Sequence, residues 1–342
     1  MKTPRISWLL AICIPLFFFS ACTKKSTTPA TLKVGLVTGI GNLTDKGFNQ
    51  LAYEGLLTAA MSIPMEIEAK ESSSAEAITQ NIAYFKAKGV DVIITLGYDA
   101  AQSTLDAATA NPSIKFILLD YNFASLPANM TCGIYQVDEA SFPCGFLAAY
   151  WAGVKKPDNP AVGYVAGPDI PTIRQFTTSF TAGVAYYNSK YGKNATVSGA
   201  FATSFIDTIQ GGRIADSLIS KGAEVIFACA GKTGNGALYK TRDAGKAGIG
   251  VDTDQHETIP QVGSSLITSC MKHLDESIIS EMTAISQGKF HGGQTTTSNL
   301  LNNGVDLAPY HEFDTLLPDS IKQAVITIKQ GIISGAIKTG WQ

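Results

Sequence analysis

Charge is scarce in this chain. Only 16% of its 342 residues are Asp, Glu, Lys or Arg, and 26 basic against 28 acidic residues leave a formal charge of −2. Without a basic excess there is no footprint for nucleic acid and no field to steer a polyanionic ligand. Metal and nucleophile signatures are missing too. There are six cysteines but no C-x-x-C pair, so a zinc knuckle is not expected. The four histidines, His256, His273, His291 and His311, are scattered along the sequence, and each reads as a polar surface residue rather than a metal ligand. His256-Glu257 lacks the second histidine of H-E-x-x-H, because Pro260 stands there, and no G-x-S-x-G occurs. Ala230-Gly231-Lys232-Thr233 looks like the end of a P-loop, yet Ile226 occupies the upstream glycine position. Gly39-Ile40-Gly41 has Thr44 where a dinucleotide fingerprint has its third glycine. With no nucleophile–base pair, metal cluster or cofactor motif, the sequence does not read as an enzyme, and no cofactor is expected.

What the chain has in quantity is apolar residues, 45% of the total, which excludes a disordered polymer. Its length suits two domains of ordinary size. The N-terminus reads as a targeting segment. Lys2 and Arg5 precede a near-continuous apolar run, residues 6–19, which is short for a membrane span. Phe19-Ser20-Ala21-Cys22 follows, and the chain then turns polar, the layout of an export signal. Small residues before Cys22 resemble a bacterial lipoprotein box, although Phe19 stands where leucine is usual. The alternative is an ordinary secretory signal with a chance cysteine. On the lipoprotein reading residues 1–21 are removed and Cys22 becomes the acylated N-terminus. Residues 22–31 are then a tether, and the protein lies on the exported face of a cell membrane. Cys132, Cys144, Cys229 and Cys270 sit among apolar neighbours, where a free cysteine acts as a small hydrophobe. Export permits a disulfide, and Cys132 with Cys144 is the pair to test.

Beyond the tether, strand-like runs alternate with helical patterns. Residues 33–54 open the series with an apolar run at 34–37, a Gly/Asn/Asp-rich turn and a helix starting at Phe48. Further strands are expected at 65–69, 92–96, 115–119 and 130–135. Ser73-x-x-Glu76 forms a capping box ahead of Ile78, Ile82 and Phe85, while Asp99 and Asp138 are placed to cap the helices that follow them. A polar segment with two prolines, residues 155–160, interrupts the pattern, which then restarts. Strands are expected at 161–165, 197–202, 224–230 and 248–251, and helices at 172–188, 207–221 and 235–244. The tail reads as a strand at 264–268, a helix at 272–287, a strand at 294–299 and a last helix from Asp319. Such βαβ series build parallel sheets. The expected fold is therefore α/β, with two doubly wound parallel-sheet lobes joined by a hinge of several crossings. Lobe 1 is expected to hold residues 32–156 plus about 263–295, and lobe 2 residues 157–262 plus about 296–342.

Aromatic and carboxylate residues recur at the strand ends. Phe48 and Asn49 follow the first strand, Asp120 follows 115–119, Phe205 follows 197–202, Gly231 follows 224–230, and Asp252 ends 248–251. In doubly wound lobes these positions share one edge, and two such edges make a cleft. Aromatic faces hold a flat ring by stacking, and carboxylate or amide groups read its edge. Taken singly, Phe48 also fits as the first core residue of its helix, and Asp120 or Asp252 as a helix cap. Their joint placement is what suggests a ligand.

Four motifs carry a family resemblance: Thr44-Asp45-Lys46-Gly47-Phe48-Asn49, Val137-Asp138-Glu139-Ala140-Ser141-Phe142, Ala230-Gly231-Lys232-Thr233-Gly234-Asn235-Gly236 and Ile249-Gly250-Val251-Asp252-Thr253-Asp254-Gln255. In this order the chain resembles the basic membrane protein family of ABC-transporter substrate-binding lipoproteins, whose best-understood members are purine nucleoside receptors. The resemblance implies a type I periplasmic-binding-protein fold and a monomeric, lipid-anchored receptor that delivers a purine nucleoside to a membrane permease. It implies that Phe48 and Phe205 sandwich the base, that Asn49 and Asp120 read its edge, that Asp252 and Lys272 hold the ribose hydroxyls, and that Gly231 allows close backbone approach. Three positions depart from the family pattern. Gly39 replaces an acidic residue, Gly47 replaces serine, and Lys232 replaces a glycine. A receptor of the same fold for a sugar or other small molecule, or a signalling sensor, remains the alternative.

Overall fold

The computed structural model describes residues 31–341 together with Met1. The export signal and the lipid attachment at Cys22, with all of the tether but Thr31, lie outside the described residues. The chain runs β1 (Leu32–Ile40), α1 (Phe48–Ala60), β2 (Met65–Ser72), α2 (Ala75–Lys88), β3 (Val92–Leu96), α3 (Ala101–Ala110), β4 (Lys115–Leu119) and β5 (Met130–Tyr135). It continues as α4 (Val137–Lys155), β6 (Ala161–Ala166), α5 (Pro171–Tyr191), β7 (Thr196–Phe201), α6 (Thr208–Ser220), β8 (Val225–Cys229), α7 (Gly231–Asp243) and β9 (Ala247–Asp252). The remainder is α8 (Gln255–Thr258), α9 (Pro260–Gly263), β10 (Leu266–Lys272), α10 (Leu274–Ser286), β11 (Thr295–Ser298), β12 (Val305–Leu307) and α11 (Asp319–Ile333).

Two six-stranded sheets result, ordered β11-β5-β4-β3-β1-β2 and β12-β10-β9-β8-β6-β7. Every pairing is parallel except β10 with β12. The central strands show why. Val92–Leu96 and Val225–Cys229 are buried along their whole length, as strands covered by helices on both faces must be. The helix faces match. Ile78, Ile82 and Phe85 of α2 are buried at helical spacing, and a Cβ on Gly35 would stand 2.5 Å from the Phe85 ring, so that glycine admits the phenyl group onto the sheet. Burying one such ring contributes about 1.5–3 kcal/mol.

The chain crosses between the sheets after β5, after β10 and after β11. These crossings differ from the expected lobe boundaries. α4 packs on α5, β10 and β12, so it belongs with the second sheet, although its sequence was grouped with the first lobe. β10 lies in the second sheet and β11 in the first, the reverse of the expected grouping. Close packing of α4 on α5 explains the first shift. Added Cβ atoms on Gly145 and Gly183 would stand 1.9 Å from the carbonyl oxygens of Phe180 and Phe142, so the two backbones approach through glycine.

Several caps also differ. Ser74, not Ser73, caps α2, accepting from the Ala77 amide at 3.1 Å. Asp99 caps nothing, because a 3₁₀ turn at Tyr98–Ala100 precedes α3. Asp138 lies inside α4, where its carboxylate accepts from Gln175 and Thr339, each at 2.6 Å. α7 begins at Gly231 rather than Asn235, and α10 begins after Lys272, which closes β10. The four described cysteines are free and buried. Cys132 packs in a core cluster of the first lobe, and Cys144 in a separate one, so the suggested disulfide does not form.

Candidate functional site

Residues at the carboxyl ends of the two parallel sheets line one shared cleft, the place where open α/β sheets meet small ligands. All seven residues singled out in the sequence line it: Phe48, Asn49, Asp120, Phe205, Gly231, Asp252 and Lys272. Sequence reading missed Phe176 and Ile173 on the first turns of α5, and Tyr98 and Asp99 after β3, which line the same cleft. Their spacing signalled only helix and turn.

On the first lobe, the loop after β1 is built around Asp45. The amides of Gly47, Asn49 and Gln50 donate to its carboxylate at 3.0, 3.0 and 3.1 Å, which caps α1 in place of the side chain Gly47 lacks. Asn49 Nδ2 also donates to Asp45, at 2.9 Å. A carboxylate accepts and does not donate, so this bond fixes the orientation of the Asn49 amide. Its Oδ1 is turned toward Gly39, is buried and has no partner. Asn49 therefore presents Oδ1 as an unpartnered acceptor, while Asp45 holds one of its two amide hydrogens.

On the second lobe, Gly231 adopts φ +55°, a left-handed conformation suited to glycine. A Cβ there would stand 3.2 Å from the Phe205 carbonyl oxygen. Thr233 ties the same loop down. Its amide donates to the Phe205 carbonyl at 3.1 Å, and its hydroxyl donates to the Ser204 carbonyl at 2.7 Å. The Phe205 ring rests on Gly167, whose added Cβ would lie 2.3 Å from it.

Asp120 follows β4 and Asp252 ends β9, equivalent strands of the two sheets, and both take positive φ, +70° and +68°. Their surroundings differ. Asp120 pairs with Lys272 at 3.0 Å, and the lysine is only 3% exposed. The Lys272 ammonium also lies 5.1 Å from the Phe48 ring centre, 5.2 Å from Phe176 and 5.5 Å from Tyr135, within cation–π reach of all three. Asp252 is 7% exposed and receives no side-chain hydrogen bond among the described residues. Burial raises its pKa to about 6, helped by the charges of Asp120 and Asp45 and opposed by Lys272. Burial raises the Asp99 carboxyl as well. Lys232 lines the cleft and forms no ion pair among the described residues.

The lobes touch through polar contacts beside the cleft. Asn235 Nδ2 donates to the Asp45 carbonyl at 2.8 Å, Thr258 to the Lys46 carbonyl at 3.1 Å, and Gln255 Nε2 to that same carbonyl at 3.5 Å. Gln255 Nε2 also donates to Asn235 Oδ1 at 3.0 Å. Backbone oxygens of the loop that carries Phe48 and Asn49 thus form a latch between the lobes. Sequence reading missed the latch, although Asp45, Asn235 and Gln255 lie within the quoted motifs. It also took the histidines as scattered, whereas His256 and His311 stack with ring centres 3.7 Å apart.

The family model described as "ABC transporter substrate-binding protein PnrA-like" matches residues 32–340. The chain is 28% identical over 325 residues to an ABC transporter nucleoside-binding protein, BmpA, of Lactococcus lactis, covering 90% of this chain and 88% of that one. It is 28% identical over 303 residues to basic membrane protein A of Borreliella burgdorferi, covering 87% and 84%. Among solved structures, an ABC transporter solute-binding protein from Aeropyrum pernix superposes with a TM-score of 0.83 at 22% identity over 90% of this chain and 92% of that one, which shows a shared fold. Extending over nearly the whole two-lobed unit, these matches establish that the chain belongs to the PnrA-like, basic membrane protein family of ABC-transporter substrate-binding proteins.

Proposed function

We propose that this substrate-binding protein captures a purine nucleoside in the cleft and hands it to its permease while held to the membrane by an acylated Cys22. The observation that carries the ligand reading is the pairing of aromatic rings with unpartnered acceptors. Phe48 and Phe205 come from opposite lobes and line the cleft with Asn49, whose Oδ1 has no partner, and with Asp252, which accepts no side-chain hydrogen bond among the described residues. A base stacked between the rings gains on the order of 1–3 kcal/mol. Asn49 takes an N–H of the base edge through its unpartnered Oδ1, whose orientation the bond to Asp45 fixes. Asp252 accepts from ribose hydroxyls, with Lys272 beside it. Asp120 completes the base contacts, and its bond to Lys272 ties base and ribose recognition together. The Lactococcus relative, named as nucleoside-binding, supports the same ligand class.

Mass spectrometry of the ligand that co-purifies with the protein, followed by calorimetry with inosine, guanosine and adenosine, tests this reading. Binding is expected to be abolished by Phe48→Ala and by Asp252→Ala without loss of fold. Unchanged affinity in both variants rejects the site, and a sugar or amino acid in the cleft rejects the nucleoside. Lys232 favours a second reading, because a free cation in the cleft suits a ligand with an acidic group. Radiolabelled uptake by cells lacking the protein, and by cells carrying a Cys22→Ala variant, tests the permease and the anchor.

A further inference from the structure

Away from the cleft floor, α8 and the 3₁₀ turn at His311–Phe313 gather five ionisable side chains. His256 Nδ1 lies 2.9 Å from Glu257 Oε1, and its Nε2 lies 3.0 Å from Glu312 Oε2. His311 Nε2 lies 2.7 Å from Asp254 Oδ2. The two imidazoles stack at 3.7 Å and 7°. One nitrogen or oxygen from each of His256, Glu257 and His311 falls within 4.8 Å of the other two.

Three carboxylates therefore surround two imidazoles. A proton on one ring offsets a single negative charge, and protons on both rings would set two cations face to face at 3.7 Å. A divalent cation offsets two charges and uses the imidazole lone pairs instead. Two histidine nitrogens with a carboxylate form a donor set suited to zinc and its first-row neighbours, whereas calcium and magnesium prefer oxygen alone. The second carboxylates fit the same chemistry. Glu312 on His256 Nε2 and Asp254 on His311 Nε2 leave both Nδ1 atoms for a metal, the carboxylate–histidine arrangement that orients metal-bound imidazoles.

We propose that His256, Glu257 and His311 bind a divalent transition-metal ion of the zinc class, with Glu312 and Asp254 orienting the two rings. Tetrahedral ligands at about 2.0 Å from zinc sit roughly 3.3 Å apart, so the parallel rings splay and the three atoms draw together on loading. The rings are partly exposed, which gives them room to turn and the ion a way in. The site has a consequence for the cleft. α8 carries Gln255 and Thr258, both bonded to the Lys46 carbonyl of the opposite lobe. An ion joining α8 to the 311–313 turn stiffens the platform on which the latch closes.

The test is calorimetric titration of the tag-free, chelator-stripped full chain with Zn²⁺, with Co²⁺ as an absorbance probe. One ion per chain is expected, with a visible Co²⁺ band that Zn²⁺ displaces. His256→Ala and His311→Asn should each weaken binding at least about tenfold. Asparagine is chosen because His311 has φ +46°, which asparagine tolerates. Glu312→Gln should weaken binding by about tenfold or more through loss of the orienting bond. Circular dichroism melts of each variant separate lost ligands from lost fold. Absence of saturable binding, or equal affinity in folded His256→Ala and His311→Asn, overturns the proposal and leaves the stacked pair as a hydrogen-bonded brace. None of these outcomes depends on what occupies the cleft.

Discussion

Lowering the pH from about 7.5 to 5 should weaken ligand capture and at the same time stabilise the ligand-free protein, both through Asp252. Its carboxyl titrates at about 6 because the side chain is buried, with Asp120 and Asp45 adding repulsion and Lys272 opposing them. With that pKa the group is almost wholly ionised at pH 7.5 and roughly 9% ionised at pH 5. If hydroxyl donors of the ligand require the carboxylate, affinity falls by about tenfold over this range, or about 1.4 kcal/mol. Stability moves the other way. The folded-state pKa lies above the unfolded value, so the folded protein holds this proton more tightly. The resulting stabilisation is full below about pH 4 and is lost as pH rises through 6, a difference on the order of 3 kcal/mol. Asp99 and Glu281, raised by burial, push stability in the same direction, so the variant Asp252→Asn is needed to isolate the term. Isothermal calorimetry with a purine nucleoside at half-unit pH steps, paired with melting curves of the ligand-free protein, reads both effects. The reasoning fails if wild-type affinity is constant from pH 7.5 to 5, or if Asp252→Asn retains the whole decline.

Three substitutions probe the remaining elements. Asn235→Ala removes the 2.8 Å bond to the Asp45 carbonyl and strands Gln255, so ligand affinity should fall about 5- to 20-fold and small-angle scattering should show a more open ligand-free form; an unchanged profile would deny the latch. Lys272→Met leaves Asp120 as an unpaired carboxylate at the junction of the lobes and should cost about 3–5 kcal/mol in denaturant unfolding, against little change for an exposed lysine such as Lys193. Gly145→Ala forces a Cβ to within 1.9 Å of the Phe180 carbonyl and should destabilise by about 1–3 kcal/mol or more, visible as a lower melting temperature, whereas Gly288→Ala, with no neighbour within 4 Å, should show only its backbone cost.

The alternation of buried strands and amphipathic helices was legible because its cause is local. Val92–Leu96 and Val225–Cys229 read as continuous apolar runs since both of their faces are covered, and α2 shows its buried face in Ile78, Ile82 and Phe85. Membership of a lobe is not local. The apolar residues of α4 fit either sheet, and only the paired glycines Gly145 and Gly183, far apart in sequence, fix it against α5. β10 and β11 exchange lobes for a similar reason. A strand's pattern records that it is buried, and its sheet is decided by the crossings that precede it. β12 is three residues long and carries too little pattern to register at all.

The site was legible in a different way, and its motifs turn out to do two jobs. Phe48, Asn49, Gly231 and Asp252 were picked out for chemistry a ligand would use, and they share one cleft. Their motif neighbours Asp45, Asn235 and Gln255 are buried and take part in the bonds between the lobes. Asp45 links the two roles. Its carboxylate holds Asn49 with the acceptor turned toward Gly39, while its carbonyl accepts the bond from Asn235 that closes the lobes. On the proposed reading, a shift of this loop that moves Asn49 Oδ1 also disturbs the Asn235 bond, so ligand contact and lobe closure would be coupled through Asp45, and Asp45→Asn should test that coupling directly. Asparagine keeps the carbonyl but weakens the carboxylate cradle for Gly47, Asn49 and Gln50. If the coupling holds, this variant should lose ligand affinity and show the more open scattering profile of Asn235→Ala, although its own bond to Asn235 is made by an atom the substitution leaves in place. Lost affinity with an unchanged closed profile would instead separate the two roles and confine Asp45 to positioning Asn49.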